Sequence, residues 1–358
     1  MNRVIALLIL SALLLSACAP AAPTTAGAPN IPATNAQEPA ADTSDTVSGE
    51  LTIYSGRSEP LIQPVLDAFK AKHPQVEILL KAGGNSELAN ALIEEQANPQ
   101  ADIFITTELF TVQSLAQQGL FQSYRPVGAD RLPSELIGMD NTWTGLTLRG
   151  RVIMYNTELV SEDELPQSVF DLTDPKWKGQ IAAAGSTNGS MQAQIASMRL
   201  LMGDESTEAW LRGLLDNEVT FFGGHTDVRK AVGAGEFALG LVNHYYYHLQ
   251  AAEGSNVGVI YPDQGEGQIG LITNATAAAV VKGTQNQAAA QAFMDFLISE
   301  EGQKLFAEQN YEYPLVSGVA LREGVRPLDA YRLADVDVAE AASETDATFD
   351  LIEEVGLP

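Results

Sequence analysis

Residues 50–119 read ELTIYSGRSEPLIQPVLDAFKAKHPQVEILLKAGGNSELANALIEEQANPQADIFITTELFTVQSLAQQG. Three short apolar runs stand out: ELTIYS (50–55), VEILLKAG (76–83) and ADIFIT (101–106). Each is followed by a stretch of helical spacing. In SEPLIQPVLDAFKAKHP (58–74), Leu61, Val65 and Phe69 recur on one face of a 3.6-residue turn. NSELANALIEEQAN (85–98) predicts a second helix with Asn85 or Ser86 as its cap. TVQSLAQQG (111–119) predicts a third, stopped at Gly119. Strand and helix alternating three times predict a parallel sheet covered by helices.

The remaining chain continues the theme. WTGLTLRGRVIMYN (143–156) predicts two strands close together, broken at Gly150. A second α/β unit follows: DPKWKGQIAAA (174–184), helices over about 190–202 and 206–215, the strand VTFFGG, the helix DVRKAV and the strand FALGLVN (237–243). VGVIYP and ATAAAVVKG are later strands, followed by helices in QAAAQAFMDFLISEE and EGQKLFAEQ.

With 358 residues the chain is long enough for two domains or one two-lobed domain with sizeable cores. Its formal charge of −26 disfavours nucleic acid and anionic membrane surfaces as partners, because like charges repel. It suits a soluble protein outside the cytoplasm, or one that attracts cations.

The single cysteine, Cys18, permits no internal disulfide and no cysteine-based metal site. The start MNRVIALLILSALLLSAC has one basic residue, Arg3, and then an apolar run too short for an ordinary spanning helix, so residues 1–17 read as a signal peptide. Its end, Leu15-Ser16-Ala17-Cys18, resembles the bacterial lipoprotein signal. That resemblance implies cleavage before Cys18, lipidation of Cys18, and anchoring on the outer side of a membrane by acyl chains alone. Residues 19–48 hold no aromatic residue, no Lys and no Arg. They cannot bury enough surface to fold. Residues 18–48 therefore read as the lipidated cysteine and a disordered tether, with a random-coil reach of about 30 Å.

Ligands of open α/β sheets bind beyond the carboxyl ends of the strands. ELTIYS delivers Tyr54, Ser55, Gly56, Arg57 and Ser58 to that place, and ADIFIT delivers Thr106, Thr107 and Glu108. The loop GSTNGS (185–190) opens a helix, where backbone N–H groups attract anions; an ordinary capped loop is the plainer reading of that segment alone. Arg149 and Arg151 flank Gly150. An arginine there suits an anion, a solvent-facing arginine is the plainer reading, and the expected break leaves their relative facing open.

FALGLV is followed by NHYYYHL, with Asn243 and then Tyr245, Tyr246 and Tyr247. Three consecutive tyrosines cannot all face one core. With a helix starting near His244, two neighbouring phenols can converge on one ligand at the first turn. A hard, highly charged cation such as Fe³⁺ takes phenolates and displaces their protons. Stacking around an organic ligand, or core packing with satisfied hydroxyls, is the alternative, and the chemistry alone leaves both open. The four histidines, His73, His225, His244 and His248, have no metal-binding spacing. His225 and His244 read as satisfied surface side chains, with a supporting role behind the site as the alternative.

Taken in order, LTIYSGRSE, ADIFITTE, RGRVIMYN, DLTDPKWKGQIAAAGSTNGS, DVRKAVGAGEFALGLVNHYYYHL and NYEYPLVSGV resemble the periplasmic ferric-iron-binding proteins of ABC importers, class II solute-binding proteins with transferrin-like lobes. The resemblance covers about residues 50–358. It implies an α/β, two-lobed periplasmic-binding-protein type II fold. Each lobe is then a mixed, mostly parallel sheet flanked by helices, with two crossover strands as a hinge near 149–151 and 272–276. The N-lobe would comprise residues 49–149 plus 273–316, and the C-lobe 150–272 plus 317–358.

The same resemblance implies roles. Tyr245 and Tyr246 match the iron-binding tyrosines. Arg149 matches the arginine that holds the accompanying anion, with Asn243 beside it. Asn188, Gly189 and Ser190 match the anion loop, and Tyr54 to Ser58 line the cleft. Ser58 stands where some relatives have a histidine ligand, Met191 where others have a tyrosine, and Thr107 where others have a glutamate, with Glu108 next to it. The remaining coordination is then expected from an anion such as carbonate or phosphate, from water, from Tyr54 or from Glu108. Arg57 is a second expected anion contact, and Tyr247 a bystander.

The expectation is a monomeric, lipid-anchored binding protein in the cell envelope that hands Fe³⁺ to ABC permease subunits. It sits on the outer face of the cytoplasmic membrane or in the periplasm. It has no nucleic-acid partner and performs no catalysis, since no nucleophile–base pair is visible. One alternative is a same-fold binder of an organic anion or small cation, such as a phosphonate, thiamine or polyamine. The other is a lipoprotein enzyme acting on a phosphate ester, which no metal–carboxylate cluster supports.

Overall fold

The computed structural model describes residues 47–358; the expected signal peptide, Cys18 and the expected tether as far as residue 46 lie outside the described residues. The opening rhythm is present: β1 (Gly49–Ser55), α1 (Glu59–Lys72), β2 (Val76–Ala82), α2 (Asn85–Glu94), β3 (Ile103–Thr106) and α3 (Leu109–Gln117). β1 pairs in parallel with both β2 and β3. Gly119 closes α3 with φ +77°, a left-handed turn that glycine adopts without strain. Asn85 is the first residue of α2 rather than its cap, which is Gly84.

The expected break at Gly150 is absent. β4 (Thr144–Asn156) is one continuous strand. Its first half pairs antiparallel with β9 (Thr273–Val280), from Thr144 to Gly150. From Arg151 onward it pairs with β7 (Leu239–Asn243), and from Ile153 also with β8 (Val257–Ile260). The strand persists because its hydrogen bonding does not lapse: the Arg151 N–H donates to Ile272 O at 2.9 Å. Gly150 instead admits Leu271, which a Cβ would meet at 3.1 Å. Since the strand is unbroken, Arg149 and Arg151 share a face.

The second unit comprises β5 (Ile181–Ala184), α4 (Gly189–Met202), α5 (Asp204–Asp216), β6 (Thr220–Phe222), α6 (His225–Gly233), β7 and α7 (His244–Ala252). β5 runs parallel to β6 and β7. The sheet order is β2-β1-β3-β9-β4-β7-β5-β6, so β9 and β4 join two parallel groups. After β9 come α8 (Gln287–Leu297), α9 (Glu300–Asn310), the short β10 (Tyr313–Pro314), α10 (Val338–Ser343) and α11 (Thr345–Val355).

One buried cluster draws on residues 51–146 and 275–316, with Phe69, Phe104, Phe293 and Phe306 at its centre. A second, around Trp177, Trp210 and Met198, draws on 153–272 and on Leu351, Ile352, Val355 and Leu357 of the tail. A third surrounds Tyr245, Tyr246, Tyr311 and Tyr313. The tail touches both sides of the molecule: α10 packs on α3, and α11 on α4 and α5. Among the described residues no helix is long and apolar enough to cross a membrane.

Candidate functional site

The carboxyl ends of β1 and β3 face those of β5 and β7, because the two parallel groups run in opposite directions and are displaced along β4, which pairs with β9 in its first half and with β7 in its second. They deliver the 56–58 loop, Thr107, the 185–188 loop and Asn243. These enclose an inner chamber of about 50 Å³ lined by Gly56, Arg57, Ser58, Leu61, Thr107, Arg149, Asn188, Ser190, His225, Asn243, Tyr245 and Tyr246. An outer chamber of about 650 Å³ shares seven of those residues and adds Gly189, the 82–87 turn and Gly223, Gly224 and Thr226.

Five helices begin at these walls: α1, α2, α4, α6 and α7, capped by Ser58, Gly84, Asn188, Gly224 and Asn243. Only Asn188 turns its side chain onto its own helix, accepting from Ser190 N and Met191 N at 3.1 and 3.3 Å. The other four leave first-turn N–H groups without a side-chain acceptor. First-turn N–H groups carry partial positive charge, so the walls favour negative charge.

Tyr245 and Tyr246 lie at the first turn of α7, with ring centroids 4.2 Å apart and planes tilted 32°. Both are buried. Burial, with Tyr245 beside it, pushes the Tyr246 phenol well above its ordinary range, against the pull of Arg57 and Arg149. Tyr246 therefore holds its proton until a strong cation displaces it. Tyr247 is half-buried against the third cluster and tilted on His248 at 4.9 Å, away from the chamber.

Three arginines are buried around the phenols: Arg57 at 2%, Arg149 at 1% and Arg151 at 1% exposure. Arg149 donates to Thr107 O. Arg151 donates to Gln194 Oε1 at 2.9 Å, His225 Nε2 at 3.1 Å and Asn243 Oδ1 at 3.2 Å. Burial, reinforced by Arg149, brings Arg151 down to about 9, so it is still charged near neutrality. Arg57 does not reach out as a free anion contact. It pairs with the buried carboxylate of Glu312 and donates to Thr276 Oγ1 at 3.1 Å. Each arginine nevertheless keeps one buried N–H without a partner: Arg57 Nε, Arg149 Nε and Arg151 Nη2. Buried donors of that kind call for an acceptor, so the residues fit an anion. One carboxylate against three guanidiniums leaves excess positive charge, which two phenolates or a bound anion would balance.

Other expected residues lie elsewhere. Tyr54 turns away from the chamber: its hydroxyl donates to Glu95 at 3.1 Å and Lys81 lies over its ring. Burial and the Glu95 carboxylate push its phenol up to about 12. Glu108 caps α3 by accepting from Thr111 N at 3.0 Å and does not line the inner chamber. Burial raises its carboxyl, partly offset by those hydrogen bonds. Ser55 accepts from Arg57 N at 3.1 Å inside its own turn. Met191 is a core residue. Gly56 and Ser58 line both chambers; Gly189 lines only the outer one.

The histidines correct the surface reading. His225 and His244 are buried at 3% and 0% exposure. His225 opens α6, meets Tyr246 edge-on at 5.2 Å and lines both chambers. Arg151 donates to its Nε2, so Nδ1 carries the ring proton; burial and the arginines keep the ring neutral. His244 lies behind the phenols. It accepts from Gly150 N at 3.3 Å through Nδ1, donates to Tyr311 O at 2.9 Å through Nε2, and stacks on Tyr313 at 4.3 Å.

Sequence reasoning gave no place in the site to Glu312 or Asn85 and left Arg151 and His225 open. Arg151 was legible as the second arginine of an i, i+2 pair once the strand is unbroken. His225 was legible as the first residue before DVRKAV. Glu312 and Asn85 had only their motifs, NYEYP and GGNSE, and no charge pattern to mark them. Among the described residues no cluster of three or more His, Cys, Asp or Glu could hold a metal.

The description bacterial extracellular solute-binding protein matches residues 98–334. Iron uptake protein A1 of Synechocystis is 34% identical over 311 residues, covering 83% of this chain and 84% of its own. Iron-bound HitA from Pseudomonas aeruginosa superposes with a TM-score of 0.79 at 30% identity, over 86% of this chain and 99% of that one. The Trichodesmium protein solved with iron and citrate superposes with a TM-score of 0.68 at 30% identity, over 86% and 99%. These neighbours are type II periplasmic binding proteins, and the expected two-lobed α/β class holds.

Proposed function

This chain belongs to the bacterial extracellular solute-binding protein family, a family of binding proteins rather than enzymes, and we propose that it carries ferric iron for an ABC importer. The observation that carries the reading is the Tyr245–Tyr246 pair, buried at the head of α7 and ringed by Arg57, Arg149 and Arg151. Fe³⁺ would displace both phenolic protons, and the guanidiniums would offset the phenolate charge. An anion such as carbonate or a carboxylate chelator would complete the coordination. Arg149, Ser190 and the free N–H groups of α1 and α7 are its expected holders, with Asn188 shaping the turn. The names of the relatives, iron uptake protein and iron-bound HitA, support iron as the cargo.

The lobes we propose as moving parts are residues 49–149 plus 273–316 and residues 150–272 plus 317–358. They hinge where β4 changes partners and where β9 begins. Closure would bury the iron, and opening at the permease subunits would release it. Cys18 would hold the protein to the outer face of the membrane by its lipid, as a monomer on its tether.

The test is a titration of ferric citrate into the protein, with and without bicarbonate, followed by visible spectroscopy. A phenolate-to-iron charge-transfer band is expected, absent from the Tyr245→Phe, Tyr246→Phe double variant. Dependence of the band on bicarbonate would name the anion.

A second reading has one observation in its favour. Arg57 and Arg149 in the chamber wall and Arg151 behind it set three buried guanidiniums against the one buried carboxylate of Glu312, an excess of positive charge that an organic anion would balance without iron. In that case the protein stays colourless in the same titration, and the phenols serve as a stacking platform.

A further inference from the structure

Asn85 is only 3% exposed, and its side chain is enclosed by three loops from different parts of the fold. Its Nδ2 donates to Thr107 Oγ1 at 2.9 Å, and its Oδ1 accepts from Thr107 N at 3.3 Å. Thr107 in turn offers its carbonyl to Arg149 and to Asn274 Nδ2, the latter at 3.0 Å. The amide therefore fixes the turn that holds Arg149 beside the phenols.

Two glycines press on the same amide. A Cβ on Gly56 would overlap Asn85 Oδ1. A Cβ on Gly189 would overlap Asn85 Nδ2 and lie 3.0 Å from Thr107 Oγ1 and 3.1 Å from Glu108 Cγ. Gly189 is the first residue of α4, which belongs to the group built on β5–β7. Asn85, Thr107 and Glu108 belong to the group built on β1–β3. A hydrogen bond crosses between the groups one turn further on, from Gln192 Nε2 to Ser86 Oγ at 3.4 Å. The absence of a side chain at position 189 is what lets the anion-facing end of α4 reach the opposite wall.

We propose that Asn85 is the positioning residue of cleft closure: its amide braces Thr107 and Arg149 on one side and is the surface on which Gly189 seats on the other. When the cleft closes, this seating brings Asn188 and Ser190 onto the chamber; when it opens, Gly189 lifts away from the amide. Nothing in the motif GGNSE marks Asn85 for this. The role exists only when α2, the Thr107 turn and α4 meet.

The optical readout rests on the iron-binding reading, so closure is also measured without it. Gly189→Ala, Asn85→Ala and the double variant are compared with wild type. Iron release into excess chelator is followed by loss of the charge-transfer band, and compactness by X-ray scattering with and without ferric citrate. Gly189→Ala is expected to release iron about tenfold faster or more, with the band maximum unmoved and a larger radius of gyration. Because the added methyl collides with the Asn85 amide, the double variant is expected to release more slowly than Gly189→Ala alone. A purely local folding role would make the two changes add instead.

Wild-type release and compactness in Gly189→Ala would overturn the proposal, as would simple additivity in the double variant. If Gly189→Ala does not fold, Asn85→Gln pushes one methylene into the same gap, and unchanged release and scattering there would overturn it. A colourless wild type sinks the iron reading instead, and the scattering comparison still decides closure.

Discussion

Arg57 and Glu312 lie 255 positions apart in the chain and form an ion pair whose side chains are 1% and 0% exposed. Glu312 also accepts from Thr147 of β4, and Arg57 donates to Thr276 of β9. One buried pair thus ties the first loop of the fold to the central strands β4 and β9. Burial alone would raise the Glu312 carboxyl; the guanidinium outweighs it and holds the group below the usual carboxylate range.

Replacing one partner is therefore expected to cost far more than replacing both. Glu312→Gln leaves a guanidinium buried without its countercharge, at a cost of about 3–5 kcal/mol. Arg57→Met with Glu312→Leu removes both charges and should recover most of that loss. Urea unfolding midpoints of the three proteins decide it, and equal losses in single and double variants would refute the account.

Stability should rise with pH through the range where His244 differs between the folded and unfolded chain. Burial, reinforced by His248, lowers His244 from its ordinary 6.5 to about 3, against the pull of its hydrogen bond to Tyr311 O. Below 6.5 the unfolded chain takes up a proton that the folded one refuses. Stability is thus fully present above 6.5 and is lost as pH falls toward 3, by about 1.4 kcal/mol per pH unit for each such group. His225 acts in the same direction. Unfolding free energies at about pH 7.5 and about pH 5 should show the slope, and His244→Gln should flatten it by one proton's worth.

Arg149→Gln is expected to weaken the anion more than the metal. Its guanidinium is fixed by Thr107 with Nε free in the chamber wall. Loss of a charged hydrogen bond to an anion is worth about 1.5–3 kcal/mol, so the bicarbonate needed for half-maximal colour should rise roughly 10- to 100-fold. An unchanged bicarbonate requirement would remove Arg149 from the anion's holders.

Tyr54→Phe separates the two expectations held for Tyr54. Its hydroxyl binds Glu95 outside the chamber, so the charge-transfer band and iron affinity should match wild type. Stability should fall by about 0.5–1.5 kcal/mol, the value of one hydrogen bond. A shifted band would restore Tyr54 as a ligand.

Much of this was legible in the chain because it is local. Alternating apolar runs and helical stripes over 50–119 predict the three parallel strands and their covering helices, and the structure contains them. Adjacent tyrosines after FALGLVN predict a helix starting at His244, and it does start there. Gly150 misled, because a glycine in a strand reads as a break when its unseen partner is a close neighbour such as Leu271. Tyr54 and Glu108 misled for a related reason. Each stands at a strand's carboxyl end, where a ligand is expected, but the facing of one side chain depends on what it meets, here Glu95 and Thr111.

By itself, then, the sequence determined the period of each element, the order of strands and helices and the place of the tyrosine pair, since these follow from residue spacing and backbone preference. Only the tertiary structure decided which side chains meet: Arg57 with Glu312, Arg151 with His225, Asn85 with Thr107 and Gly189. Such pairings depend on distances between residues tens to hundreds of positions apart, and no local pattern encodes a distance across the fold.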